Sequence, residues 1–237
     1  MKGFIITAPH EQLRLAHVQA LINLVPFPTE KVLAIYPSIQ RIPFKDRLLT
    51  LAYQRTGYPM TAAELACLLS HRKVWRKIVK EEVDNSAHYL ILESDAVLLA
   101  PDYFKQHFNQ LTSDIDLFLW GGYEGRIKLF QSTLLPQAAR YQIGEPFLKS
   151  MYCAYGYSLN KKTARLFLKK TSKISYPVDH YKRYFYRGEI KIRSVLPEII
   201  TANKLDSNIP QARKRGGLFK LFLQVIEWRN QLITRWG

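Results

Sequence analysis

The sequence predicts an α/β fold: a mainly parallel, twisted sheet flanked by helices. Three observations carry that expectation. The chain opens on strand, helix, strand over residues 4–7, 11–24 and 31–36, the order that builds parallel sheets. The run His88-Tyr89-Leu90-Ile91-Leu92 is continuously apolar, as a strand covered on both faces must be. Between them lies a long amphipathic helix with its own start signal at Thr61. With 237 residues, 47% of them hydrophobic, the chain can bury a sizeable core. Residues 1–210 read as one domain and 211–237 as a basic tail.

Each element has a local cause. In the first helix Leu13, His17, Ala20, Leu21 and Leu24 recur at helical spacing, and Pro26 and Pro28 stop it. Pro37 closes the second strand, and residues 37–60 read as an irregular connection. Thr61-Ala62-Ala63-Glu64 is a capping box. It opens a helix from Ala62 to about Lys80, with Leu65, Leu68, Leu69, Val74, Ile78 and Val79 as its stripe. The apolar strand ends in Glu93-Ser94-Asp95, and Ala96 to Leu99 follow. A helix is expected over 102–111. A strand over 115–120 is stopped by Gly121-Gly122, and short strand-like pieces surround Ile127 to Phe130. Residues 151–159 read as a strand, 161–170 as a helix, 177–180 as helix or loop, and 190–195 as an alternating strand. In the tail, Leu218, Leu221, Val225, Trp228 and Leu232 follow the break Arg213-Lys214-Arg215 at helical spacing. They predict a basic amphipathic helix.

Composition excludes several classes. Eleven Gly, 12 Pro and abundant aromatic residues exclude a disordered or collagen-like chain. Two cysteines, Cys67 and Cys153, cannot form a disulfide scaffold or a four-cysteine zinc site, and read as buried thiols in a reducing compartment. No segment has the roughly 18–20 apolar residues a bilayer span needs. The N-terminal apolar run is too short for a signal peptide, so a cytoplasmic location is expected. The net charge is +16 and unevenly spread: residues 1–160 hold 17 basic and 14 acidic side chains, residues 161–237 hold 18 and 5. That asymmetry implies a polyanionic partner, either nucleic acid, an anionic membrane or a phosphorylated substrate.

The sharpest chemical feature is Glu93-Ser94-Asp95 at the end of a buried strand, where open α/β sheets bind ligands. Side chains two apart on an extended chain share a face. Such a pair can hold a hard divalent ion against a nucleotide diphosphate; a solvated acidic turn gives the same pattern. Tyr181 to Arg187 interleaves aromatic and basic residues. That mixture suits single-stranded nucleic acid, an acidic sugar acceptor, or the solvated face of an amphipathic helix. Cys67, among apolar neighbours one turn before His71, reads as an inert thiol.

Thr61-x-x-Glu64-x-x-Cys67-x-x-Ser70-His71, then Trp75, then Tyr89-Leu90-Ile91-Leu92-Glu93-Ser94-Asp95 resembles glycosyltransferase family 25, which contains bacterial lipooligosaccharide sugar transferases, many of them β-galactosyltransferases. Tyr155-Gly156-Tyr157-Ser158-Leu159 with Ala164, and Pro177-Val178-Asp179, resemble later segments of the family. The likeness covers about residues 1–200. Two positions depart from the family pattern: Ser94 replaces the middle acid of Glu-Asp-Asp, and Ile6-Thr7-Ala8-Pro9 stands where an Asn-Leu pair is usual, although Arg14 matches a basic position just beyond.

The resemblance implies a GT-A-like fold and inverting transfer of galactose or glucose from a UDP-sugar to a lipooligosaccharide or LPS core. It implies Mn²⁺ or Mg²⁺, with Asp95 as main ligand and Glu93 near the metal or the ribose. Ser70, His71 and Arg14 would contact the nucleotide sugar; His71 equally suits a satisfied core histidine. Asp179 is the candidate base, and equally suits a helix N-cap. His180 and Arg183 are candidate acceptor contacts. The basic amphipathic pattern of the tail has two readings: Arg213, Lys214, Arg215, Phe219, Trp228 and Trp236 meet the anionic cytoplasmic face of the inner membrane, where the protein would be peripheral, or the tail packs on the domain. The alternative is a basic protein that binds nucleic acid or anionic lipid without catalysis. It leaves the 61–95 resemblance unexplained, so nucleic acid is the less expected partner.

Overall fold

The computed structural model describes residues 1–8, 12–82, 86–122, 125–135, 140–203 and 232–235. The tail residues expected at the membrane, Arg213, Lys214, Arg215, Phe219, Trp228 and Trp236, lie outside the described residues.

A seven-stranded sheet forms the centre, in the order β2-β1-β3-β7-β5-β8-β6. The strands are β1 Lys2–Thr7, β2 Thr29–Leu33, β3 His88–Glu93, β5 Leu117–Leu119, β6 Gln142–Gly144, β7 Gly156–Asn160 and β8 Ile192–Leu196. β1 pairs in parallel with β2 and β3, and β5 with β8. β7 is antiparallel to both β3 and β5, and β6 is antiparallel to β8. Five of the seven strands therefore share one direction, and β7 and β6 run against it. The sheet is mixed, with its unbroken parallel part at β2-β1-β3. β4, Ala96–Leu98, leaves this sheet and pairs antiparallel with β9, Ile200–Ala202.

Period-2 geometry explains why the central strands are apolar throughout. Phe4, Ile6, Tyr89, Ile91, Leu117 and Leu119 face one core, while Ile5, Leu90, Leu92 and Phe118 face the other. On the first face lie α3, Ala62–Lys80, and α5, Lys161–Lys170. They supply Leu65, Leu68, Val74, Trp75, Ile78 and Phe167, and Trp75 stacks on Phe167 with ring centroids 4.6 Å apart. The second face is covered by α1, Gln12–Leu24, and α4, Pro101–Thr112, through Val18, Leu21, Phe104, Phe108 and Leu111.

α3 begins as its sequence requires. Thr61 accepts the Glu64 N–H at 3.1 Å, and the Glu64 carboxylate accepts the Thr61 N–H at 2.6 Å. Asn160 caps α5 by accepting from Thr163 N at 2.9 Å.

The expected irregular connection over 37–60 is corrected by α2, Lys45–Thr56. Its interior buries only Ala52, so the hydrophobic period that announces the other helices is weak here. The second strand also ends earlier than expected, at Leu33; Ala34 N still donates to Thr7 O at 2.9 Å, and the chain turns at residues 37–39. α6 is a single turn, Tyr181–Tyr184. Among the described residues no helix is long and apolar enough to cross a membrane.

Candidate active site

In the strand order, β2 and β3 lie on opposite sides of β1. Open α/β sheets form ligand crevices at such a switch point, beyond the carboxyl ends of the strands. A cleft of about 500 Å³ opens there. Its floor is Ile6 and Ala8 after β1 and Glu93, Ser94 and Asp95 after β3; Ala34 to Ser38 form one wall and Thr61 to Ala63 with Cys67, Ser70 and His71 the other. The amino end of α3 therefore faces the carboxylates. Unpaired N–H groups and the positive end of the helix dipole make such an end favourable for phosphate.

Five sequence-predicted residues meet in this cleft: Arg14, Ser70, His71, Glu93 and Asp95. Arg14 donates to Ser94 Oγ at 3.2 Å, so a guanidinium reaches the serine that stands between the two acids. Ser70 Oγ donates to Ala66 O and accepts from Ile35 N, both at 2.8 Å. It thereby fastens the wall after β2 to α3. Asp95 O accepts from Asn203 N at 2.7 Å, which anchors the acidic turn to the residue after β9.

His71 is fully buried, and both its ring nitrogens are engaged. Nε2 lies 3.0 Å from Glu93 Oε1 and Nδ1 lies 2.8 Å from the Tyr157 hydroxyl. The Tyr157 oxygen also accepts the Trp75 indole N–H at 2.9 Å. The ionised Glu93 carboxylate only accepts, so His71 Nε2–H donates to it. In the neutral ring Nδ1 then accepts from the Tyr157 hydroxyl, and donation runs from Trp75 through Tyr157 and His71 to Glu93. Cys67 Sγ adds a longer bond to the same carboxylate oxygen at 3.5 Å. Burial, the largest single influence, pushes the Glu93 carboxyl up, but the hydrogen bond and charge of His71, the Cys67 bond and the Arg14 charge together outweigh it and hold the group below the ordinary glutamate range. Burial and the Glu93 charge push the Cys67 thiol well up, which keeps it protonated, as its apolar neighbours suggest.

Asp179 stands beside this cluster rather than in the cleft wall. Burial raises its carboxyl to about 6, helped by the Glu93 charge; hydrogen bonds from its own N–H and that of Cys153 oppose the rise. His180 and Arg183 gather elsewhere. The His180 ring packs edge-on against Tyr58 at 4.9 Å and stacks on Tyr176 at 6.1 Å. The Arg183 guanidinium lies 5.2 Å from the Tyr176 ring centre.

Two site residues escaped the sequence reading. Tyr157 lies in a segment that resembles the family but was given no chemical role, and its neighbour two residues back, Tyr155, donates to Glu198 Oε2 at 3.1 Å. Glu198 also accepts from Gly122 N at 3.3 Å. A single acid after Leu196-Pro197 carried no motif that could mark it.

Residues 1–182 match the family described as glycosyltransferase family 25 (LPS biosynthesis protein). The chain belongs to glycosyltransferase family 25. A stretch of 64 residues is also 38% identical to a protein of Acanthamoeba polyphaga mimivirus named procollagen lysyl hydroxylase and glycosyltransferase. That match covers 25% of this chain and 7% of the viral protein. Membership of this family points to glycosyl transfer, from a sugar donor to an acceptor.

Proposed function

We propose that this family 25 glycosyltransferase moves a hexose, galactose or glucose, from a UDP-sugar to a hydroxyl of a lipooligosaccharide or LPS core, with inversion at the anomeric carbon. One observation supports the reading above the others: a 500 Å³ cleft places the amino end of α3 opposite Glu93 and Asp95. A nucleotide diphosphate has the charge for the helix end, and Arg14 adds a fixed cation beside it.

Asp95 and Glu93 would hold Mn²⁺ or Mg²⁺. Both are oxygen donors that line the cleft, the donor type these ions take. The bonds from His71 and Cys67 both fall on Glu93 Oε1, which leaves Oε2 for the ion. When bound, the ion supplies positive charge against the leaving diphosphate.

The chain's own part is positioning and proton transfer. The acceptor oxygen forms a bond to the anomeric carbon as the bond to the diphosphate breaks, and UDP leaves with that electron pair. The acceptor proton passes to Asp179, whose carboxyl near 6 is ionised at neutral pH yet still basic enough to accept it. His180 and Arg183 would bind the saccharide and its anionic groups. The basic tail would hold the protein on the cytoplasmic face of the inner membrane.

Thermal unfolding with UDP-galactose, UDP-glucose and UDP, each with and without Mn²⁺, tests this. A ligand bound only by the folded state raises the melting temperature. A rise with one UDP-sugar, larger with metal and abolished in Asp95→Asn, supports the reading, and mass analysis of an LPS core incubated with that donor then reads the transfer. No rise with any UDP-sugar overturns it.

A further inference from the structure

The segment between β2 and α2 projects beside the cleft. Tyr36, Pro37 and Ser38 form part of the cleft wall. Just beyond them Ile39 is 61% exposed and Phe44 75% exposed. Phe44 sits at φ 56, in the left-handed region, and is the N-cap of α2 without a capping side-chain bond. Bulky side chains avoid that region, and Asn, Asp, Ser or Gly would serve better at an N-cap. Neither core packing nor helix capping therefore accounts for the aromatic ring at this position.

The charges around it are one-sided. Arg41 and Arg47 are exposed and Lys45 is half-buried. The single acid of the segment, Asp46, lies 3.6 Å from the Lys45 ammonium. Two exposed apolar side chains in one short segment with three cations match the boundary layer of an anionic bilayer. There apolar groups sit among the upper acyl chains and cations meet the phosphates.

We propose that residues 37–47 are a membrane-docking element, with Ile39 and Phe44 entering an anionic bilayer and Arg41, Lys45 and Arg47 on its headgroups. This segment is distinct in sequence from the basic tail, and its lipid binding does not require the proposed transfer reaction. It sets the bilayer at the cleft wall, so a lipid-borne acceptor would arrive beside the donor without leaving its membrane.

The test uses the full chain and vesicles of phosphatidylcholine with or without phosphatidylglycerol. Wild-type protein should sediment with the anionic vesicles and be released by salt. The double variant Ile39→Ser/Phe44→Ser should lose partitioning by about tenfold or more, with an unchanged melting temperature in the absence of vesicles. In Phe44→Trp, emission after subtraction of the wild-type spectrum should shift to the blue on adding anionic vesicles. Equal sedimentation of wild type and double variant, or an unshifted Phe44→Trp difference spectrum, overturns the proposal. So does a double variant that turns an oligomer into a monomer without changing lipid binding, because the surface would then belong to a second copy of the chain.

Discussion

His71 Nε2 lies 3.0 Å from Glu93 Oε1, so a buried imidazole on α3 holds the carboxylate that ends β3. The bond joins the two most family-like segments of the chain, and its direction is set from behind by Tyr157 and Trp75. Tyr157→Phe tests that chain. It strands the Trp75 N–H and His71 Nδ1, and a buried group without its partner costs about 1–3 kcal/mol. A loss of about 2–4 kcal/mol is expected in urea unfolding, with weaker UDP-sugar binding because His71 no longer has a fixed tautomer. An unchanged unfolding midpoint would show that the chain does not hold the site.

Asp179 makes a prediction with opposite signs for activity and stability. Its carboxyl is raised from 3.8 to about 6, so the folded state binds the proton more tightly than the unfolded state does. The resulting stabilisation is complete below about pH 4 and is lost as pH rises through 6; above that, the ionised group is a burden on the fold. Asp179→Asn should therefore melt higher than wild type at pH 8, while the two converge or reverse near pH 4. As a base, the residue should make kcat/KM fall below pH 6. Its loss should reduce kcat by about 10²–10⁴-fold. A variant with near-normal kcat would assign Asp179 a structural role.

Ser70 was expected at the donor, and the structure places it in the cleft wall with its oxygen shared between Ile35 N and Ala66 O. Ser70→Ala orphans the Ile35 N–H and frees the wall from α3. About 1–2 kcal/mol of stability should be lost. The KM for the donor should rise severalfold with kcat little changed, because the wall positions substrate and takes no part in bond making. A fall in kcat alone would instead place Ser70 in the chemistry.

Much of this was legible in the chain, for identifiable reasons. The α3 start was readable because a capping box is a local motif, and β3 because a strand covered on both faces must be apolar throughout. The family-like spacing brought Ser70, His71, Glu93 and Asp95 into one cleft, because i, i+4 and strand-end positions translate directly into geometry. α2 was hidden by its thin apolar stripe. The reversed direction of β7 was hidden too, since an apolar strand reads the same in either sense. Glu198 and Tyr157 act through partners 30 or more residues away, and no local pattern encodes such a pairing.

Gly121 marks where the junction between β5 and β9 tolerates no side chain. A Cβ there would lie 2.0 Å from the Ile200 carbonyl oxygen, a backbone atom. That backbone is tied down, because Ile199 N and Ile200 N both donate to Trp120 O, at 2.8 and 3.0 Å. Gly121→Ala must push β9 away from the end of β5. It should also disturb Glu198, whose carboxylate accepts from Gly122 N and Tyr155. Gly122 offers a comparison: a Cβ there meets the buried Ile127 side chain, with Cδ1 and Cγ1 at 2.9 Å and Cβ at 3.0 Å, so a side chain rather than backbone must shift. Gly121→Ala should therefore destabilise by at least about 2–3 kcal/mol and reduce transferase activity at temperatures where the fold survives. Gly122→Ala crowds a buried side chain rather than backbone and should lose less, about 1–2 kcal/mol. Equal effects at the two positions in urea unfolding would mean that the junction between β5 and β9 is softer than its hydrogen bonds indicate.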